Sequence, residues 1–178
     1  MIKLTHLTCG YGELLPIKDL SLLLPDKGVI AVSGPSGCGK STLIKALSGL
    51  ITPVKGEITG MPERLSEVFQ EDRLLPWLNV WENVAFVRPE GDIAACIDAV
   101  ELVREKTEIA SLSGGMKRRV AIARAMNYGG DAVLLDEPFK GLDEPLARRV
   151  MERIKACFPL VIITVHGDIQ GADMTINL

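Results

Sequence analysis

The chain has 178 residues, a formal net charge of −3, and 47% hydrophobic but only 4% aromatic residues. Such a length supports one domain with a real core, and the aliphatic excess suits a mostly parallel sheet covered by helices. The acidic balance argues against electrostatic binding to nucleic acid, and no apolar run reaches the roughly 18 residues needed to span a bilayer.

The opening Met1-Ile2-Lys3-Leu4-Thr5-His6 lacks the form of a signal peptide. A soluble, cytoplasmic protein is expected. Cys9, Cys38, Cys96 and Cys157 are scattered and form no C-x-x-C pair, so reduced thiols are expected and a zinc site is not.

In chain order, residues 2–7 and 17–24 read as strands, separated by the turn-rich Cys9-Gly10-Tyr11-Gly12. Gly28 to Ser33 (GVIAVS) is an apolar, β-branched run that reads as a buried strand. Ser41 to Leu50 has helical apolar spacing, and a turn follows at 52–56. Short strands are expected at 57–59 and 65–69, and helices at 79–87 and 92–103, with Pro89-Glu90-Gly91 breaking them apart. Ser113 to Asn127 reads as an amphipathic helix with Lys117, Arg118 and Arg119 on a solvated face. A buried strand at 131–136, a helix at 145–158 opening on Pro145, and strands at 160–165 and 174–178 complete the pattern. Strands alternating with helices argue a parallel α/β sheet.

Three places carry chemistry. Gly34-Pro35-Ser36-Gly37-Cys38-Gly39-Lys40-Ser41-Thr42 fits the phosphate-binding loop, and it stands between a strand and a helix. Its glycines let backbone N–H groups turn onto phosphate oxygens at a helix N-terminus. Lys40 supplies a point charge and Ser41 a hydroxyl for Mg²⁺. Asp136-Glu137 follows four apolar residues at the end of a buried strand, where α/β folds place ligand chemistry. One carboxylate can organise Mg²⁺ and the other a water. Ser113-Gly114-Gly115 opens a helix, either as a second anion site or as a plain cap.

Leu112-Ser113-Gly114-Gly115-Met116, taken with GPSGCGKST and VLLDEP, resembles the ATP-binding cassette (ABC) ATPases over nearly the whole chain. In this resemblance Tyr11 matches the aromatic that stacks on adenine, Gln70 the Q-loop glutamine, Gly141-Leu142-Asp143 the D-loop and His166 the switch histidine. It implies a P-loop NTPase α/β core with a mostly parallel sheet, a small N-terminal antiparallel β portion and a short inserted helical lobe. It also implies one ATP-binding domain over 1–178, with the lobe at about 70–127 including the signature helix.

The resemblance further implies a set of roles. Lys40 and the loop amides bind the phosphates of ATP. Ser41, Gln70 and, through water, Asp136 hold Mg²⁺. Glu137 is the general base, His166 contacts the γ-phosphate, and Asp143 acts across a dimer interface. Two copies sandwich two ATP molecules, each between one copy's phosphate loop and the other's Ser113, Gly114 and Gly115.

The stretch Arg73-Leu74-Leu75-Pro76-Trp77-Leu78-Asn79-Val80-Trp81-Glu82-Asn83-Val84 is similar to the segment after the Q-loop in bacterial importer cassettes for nitrate, sulfonate and taurine. Leu75, Pro76 and Trp77 then become a groove for integral membrane transporter subunits, or else ordinary core. The expected protein is a peripheral ATPase at the inner face of the cell membrane, touching neither the solute nor nucleic acid. A soluble cassette acting on DNA or ribosomes is the alternative, and a non-hydrolysing switch a third reading. The chain departs from the family's usual pattern in a short helical lobe, few residues after His166, and Arg118 where Gln is frequent. No C-terminal regulatory domain is expected.

Overall fold

The computed structural model describes residues 1–103, 107–165, 167 and 171–178. The predicted strands assemble into two sheets. A five-stranded sheet has the order β5 (Leu65–Val68), β6 (Ala132–Leu135), β7 (Leu160–Val165), β3 (Gly28–Ser33) and β8 (Met174–Asn177). Every neighbouring pair in it is parallel. Side chains alternate across a strand, and both faces of this sheet are covered. Val133, Leu135, Val161 and Ile163 join one buried cluster, while Ala132, Leu134, Leu160 and Ile162 join the other. That is why these strands read as continuous apolar runs.

The second cluster lies between the parallel sheet, helix α1 (Lys40–Leu47) and a three-stranded antiparallel sheet. The latter has the order β2 (Leu14–Leu24), β1 (Ile2–Tyr11) and β4 (Lys55–Thr59). Its first hairpin is longer than the sequence suggests. The expected turn at Cys9 to Gly12 is largely strand, and β1 pairs with β2 as far as Tyr11 opposite Leu14. Gly10 reads as a turn residue but serves a close approach: a Cβ there would stand 2.0 Å from the Leu14 carbonyl oxygen. Three register shifts along the pair bend the strands over α1.

The first cluster is roofed by four helices: α2 (Val80–Ala85), α3 (Ile93–Ala99), α4 (Gly114–Tyr128) and α5 (Glu144–Cys157). Val84, Ile97, Val120 and Val150 supply fully buried side chains, one from each. Ser66 fastens β5 to the end of α4, its hydroxyl donating to the carbonyls of Ala125 and Gly129. Helix α3 ends earlier than its apolar spacing predicts. Glu101 adopts a left-handed backbone at φ 55, and Arg119 donates to the carbonyls of Val100 and Glu101.

The expected solvated face of α4 is a correction. Arg118 is 7% exposed and Arg119 is half-buried, because both guanidiniums reach backbone carbonyls of neighbouring segments. A run of cations looks the same in sequence whether it meets water or carbonyl oxygens.

Candidate nucleotide site

Strand β3 delivers the phosphate loop to the C-terminal end of the parallel strands, and α1 begins at Lys40 behind an N-cap Gly39 at φ 112. Two independent constraints act at Gly39. The backbone lies in the left-handed region, and a Cβ would meet Ile17 Cδ1 at 2.8 Å. The loop therefore sits directly on β2. Lys40 is 6% exposed, and its Nζ donates to the carbonyls of Gly34 (2.7 Å) and Pro35 (3.0 Å). The charge is thereby held over its own loop, at the N-terminus of α1.

Opposite stands the end of β6. Asp136 is 4% exposed, and its amide donates to the Val68 carbonyl, which pins this end of β6 to β5. Glu137 follows at φ 48, a left-handed conformation that costs a non-glycine residue about 1–3 kcal/mol. Its carboxylate is 3.9 Å from Lys140 Nζ. Thr164 organises the pair. Its hydroxyl accepts from the Glu137 amide (2.8 Å) and donates to Asp136 Oδ1 (2.8 Å). Sequence reasoning missed Thr164, although its signal was present: it is the one polar residue in LVIITV. Nearby on β5, burial raises the Glu67 carboxyl above the usual range, with the Asp136 charge adding to the effect.

These elements enclose one cleft of about 370 Å³. Its walls come from Tyr11, Leu14 and Pro16 on the hairpin, from Ser36, Gly37, Gly39, Lys40, Ser41 and Thr42, and from Gln70 and Glu137. The fold thus gathers residues spread over more than a hundred positions. Tyr11 is 50% exposed at the hairpin tip, with Lys45 Nζ 5.8 Å from its ring centroid. Gln70 hangs on a non-helical segment after β5 whose carbonyls are held by Arg118. Asp136 lies behind Glu137 and outside the cleft lining. Cys38 Sγ packs beneath the loop, where a Cβ on Gly34 would come within 2.7 Å of it.

The remaining site residues form a second group. Ser113 caps α4, its Oγ accepting from the Met116 amide at 3.3 Å, and is itself exposed. Asp143 caps α5 by accepting from the Leu146 amide at 2.9 Å. The two caps are neighbours, because a Cβ on Gly115 would stand 2.7 Å from the Gly141 carbonyl oxygen. Neither Ser113, Gly114, Gly115 nor Asp143 lines the Lys40 cleft. His166 lies outside the described residues. Trp77 is 76% exposed, so the core reading of that side chain fails. The reason is local: buried Asn83 donates to the carbonyls of Leu75, Leu78 and Asn79, folding this turn outward.

The chain that carries this loop and acidic pair has a family match: the family model described as ABC transporter covers residues 17–140. The chain belongs to the ABC transporter family. The aliphatic sulfonates import ATP-binding protein SsuB 3 of Paraburkholderia xenovorans is 40% identical over 88% of this chain and 66% of its own length. The corresponding SsuB protein of Granulibacter bethesdensis is 41% identical over 100% of this chain and 79% of its own. Against several such relatives the chain spans only 54% to 66% of their length. The ATP-binding cassette MJ0796, in a dimeric post-hydrolysis state bound to ADP and Pi, superposes with a TM-score of 0.81 at 25% identity. That match covers 94% of this chain and 88% of the other. Among the described residues, no helix is long and apolar enough to cross a membrane.

Proposed function

We propose that this chain is the ATP-binding and ATP-hydrolysing subunit of a membrane importer for a small solute, working as a head-to-tail dimer closed by ATP. One observation carries this reading: Lys40 and Ser41 share a single cleft with Gln70 and Glu137. Loop amides and a lysine on one wall, with a carboxylate and an amide on the other, are the parts that phosphoryl transfer to water requires. The names of the relatives, import ATP-binding proteins, support the transport side. The dimer with ADP and Pi supports the assembly.

In this reading the amides of residues 34–42 and Lys40 bind the phosphates, and Tyr11 stacks on the adenine. Ser41, Gln70 and Asp136 offer the hard oxygen donors that Mg²⁺ prefers, so the residues fit that ion. When bound, Mg²⁺ would neutralise charge developing on the transferred phosphoryl group. Thr164 holds Asp136 and the Glu137 backbone in fixed relation, so the Glu137 carboxylate can orient and deprotonate the attacking water. Ser113, Gly114 and Gly115 would meet the γ-phosphate bound by the second copy, with Asp143 beside them, while His166 would contact the γ-phosphate on the side of Glu137. ATP binding that favours the closed dimer, and hydrolysis that releases it, would do the mechanical work. Leu75, Pro76 and Trp77 would seat an integral membrane subunit, which holds the protein at the inner face of the membrane.

The test is Glu137→Gln. It should bind ATP with unchanged affinity, lose at least about a hundredfold in turnover, and form an ATP-dependent dimer by sedimentation. Tagged Glu137→Gln protein should also carry a polytopic membrane protein out of detergent-solubilised membranes, unless Trp77 is replaced by Glu. Hydrolysis at the parental rate would refute the base assignment. Recovery of ribosomes or nucleic acid instead would favour the soluble alternative.

A further inference from the structure

Helix α4 does more than present Ser113. Five residues later, about 7.5 Å along the axis, it carries Arg118, a residue only 7% exposed. The guanidinium holds two backbone carbonyls and lies in ion-pair range of a carboxylate. One terminal nitrogen donates to the Phe69 carbonyl, the other to the Gln70 carbonyl, and Nε faces Asp72 Oδ1 at 3.2 Å. Six residues further on, Arg124 donates to the carbonyls of Arg73 (2.8 Å) and Asp72 (3.2 Å). Two arginines of one helix therefore hold four carbonyls of the segment 69–73, which belongs to no helix or strand.

That segment carries Gln70 into the Lys40 cleft. Its backbone cannot move without breaking charge-assisted bonds in a buried place, where an unpaired charge is costly. A lysine at 118 would offer a point charge rather than a fork, and a glutamine could not also meet Asp72.

We propose that Arg118 is a positioning residue for Gln70, locking the segment 69–72 to the helix that begins at Ser113 so that the two move as one unit. This rests on the ATPase reading above. In a head-to-tail dimer Gln70 serves the nucleotide of its own copy and Ser113 that of the other, so the lock links the two sites.

The experiment uses the full chain with Arg118→Lys and Arg118→Gln, each first checked for a cooperative thermal transition. Affinity for a fluorescent ATP analogue without Mg²⁺ should stay within about twofold, because the phosphate loop is untouched. The Mg²⁺ concentration giving half-maximal hydrolysis should rise about tenfold, the scale of losing a residue that orients a ligand. The Hill coefficient for ATP should fall toward one. Amide hydrogen exchange over 69–73 should speed up while α4 stays protected. A simple packing defect would lower the melting temperature without this split. If neither variant folds, Asp72→Ala loosens the same lock from the loop side and carries the same readouts.

Folded variants with parental Mg²⁺ dependence and parental exchange over 69–73 would overturn the proposal. Absence of hydrolysis in the parental chain would instead overturn the ATPase reading, and the exchange measurement would then decide the lock by itself.

Discussion

Thr164 joins the two acidic residues of the site through a single hydroxyl, accepting from the Glu137 amide and donating to Asp136. Thr164→Val keeps the shape and removes both bonds. It leaves a buried donor and a buried carboxylate oxygen short of a partner, a loss of about 1–3 kcal/mol. The expected result is a melting temperature lower by several degrees, at about 2–4 °C per kcal/mol for a chain of this size. A fall in kcat larger than that in nucleotide affinity should accompany it. Thermal unfolding with steady-state hydrolysis checks both. Gly39→Ala is a different kind of lesion, since it strains a φ of 112 and drives a methyl against Ile17. Nucleotide binding should be lost while the sheet still folds, as read by circular dichroism and ATP titration. Both residues were visible in the sequence, but in unequal degree. Gly39 stands in a motif whose spacing is fixed by loop chemistry. Thr164 is one hydroxyl in an apolar run, and its partners come from the two residues that follow β6, a strand distant in sequence.

Among the elements, α4 has two tasks that a substitution can separate. Ser113 caps the helix and is also proposed to meet a phosphate. Ser113→Ala should cost about 1 kcal/mol of stability as a lost cap. Ser113→Asp restores the cap and places a negative charge where the phosphate would come. Normal melting with lost hydrolysis in the Asp variant would separate the two tasks; normal hydrolysis would reduce Ser113 to a cap. On β5, the raised carboxyl of Glu67 sets a pH dependence. Its charged form is penalised in the fold, chiefly by burial. The penalty is therefore present at neutral pH and is relieved as pH falls through the raised folded value toward the ordinary 4.5. Glu67→Gln should stabilise the protein at pH 7 and flatten this part of its pH–stability curve, measured by urea unfolding across pH 4 to 7. The extent of α3 shows why helix ends were less legible than helix identity. Apolar spacing marks a buried face, but Arg119 decided where the last carbonyls turned.

For the whole molecule, stability is concentrated in a sheet buried on both faces. Leu134, fully buried in the middle of β6, packs toward α1 and the antiparallel sheet. Leu134→Ala should cost about 2–5 kcal/mol, enough to unfold a marginal domain, and a melting curve reads it directly. The sequence by itself determined the parallel α/β class, the order of the strands along the chain, the phosphate loop and the acidic pair. Those rest on local periodicity and on motifs whose spacing the chemistry dictates. The tertiary structure alone decided that Gly10 is a contact glycine inside a strand, that Trp77 faces outward, and that Thr164 joins Asp136 to Glu137. It also turned the cation run of α4 inward onto the segment carrying Gln70. Each of these depends on which distant backbone a side chain meets, and that is set by how the sheets and helices pack.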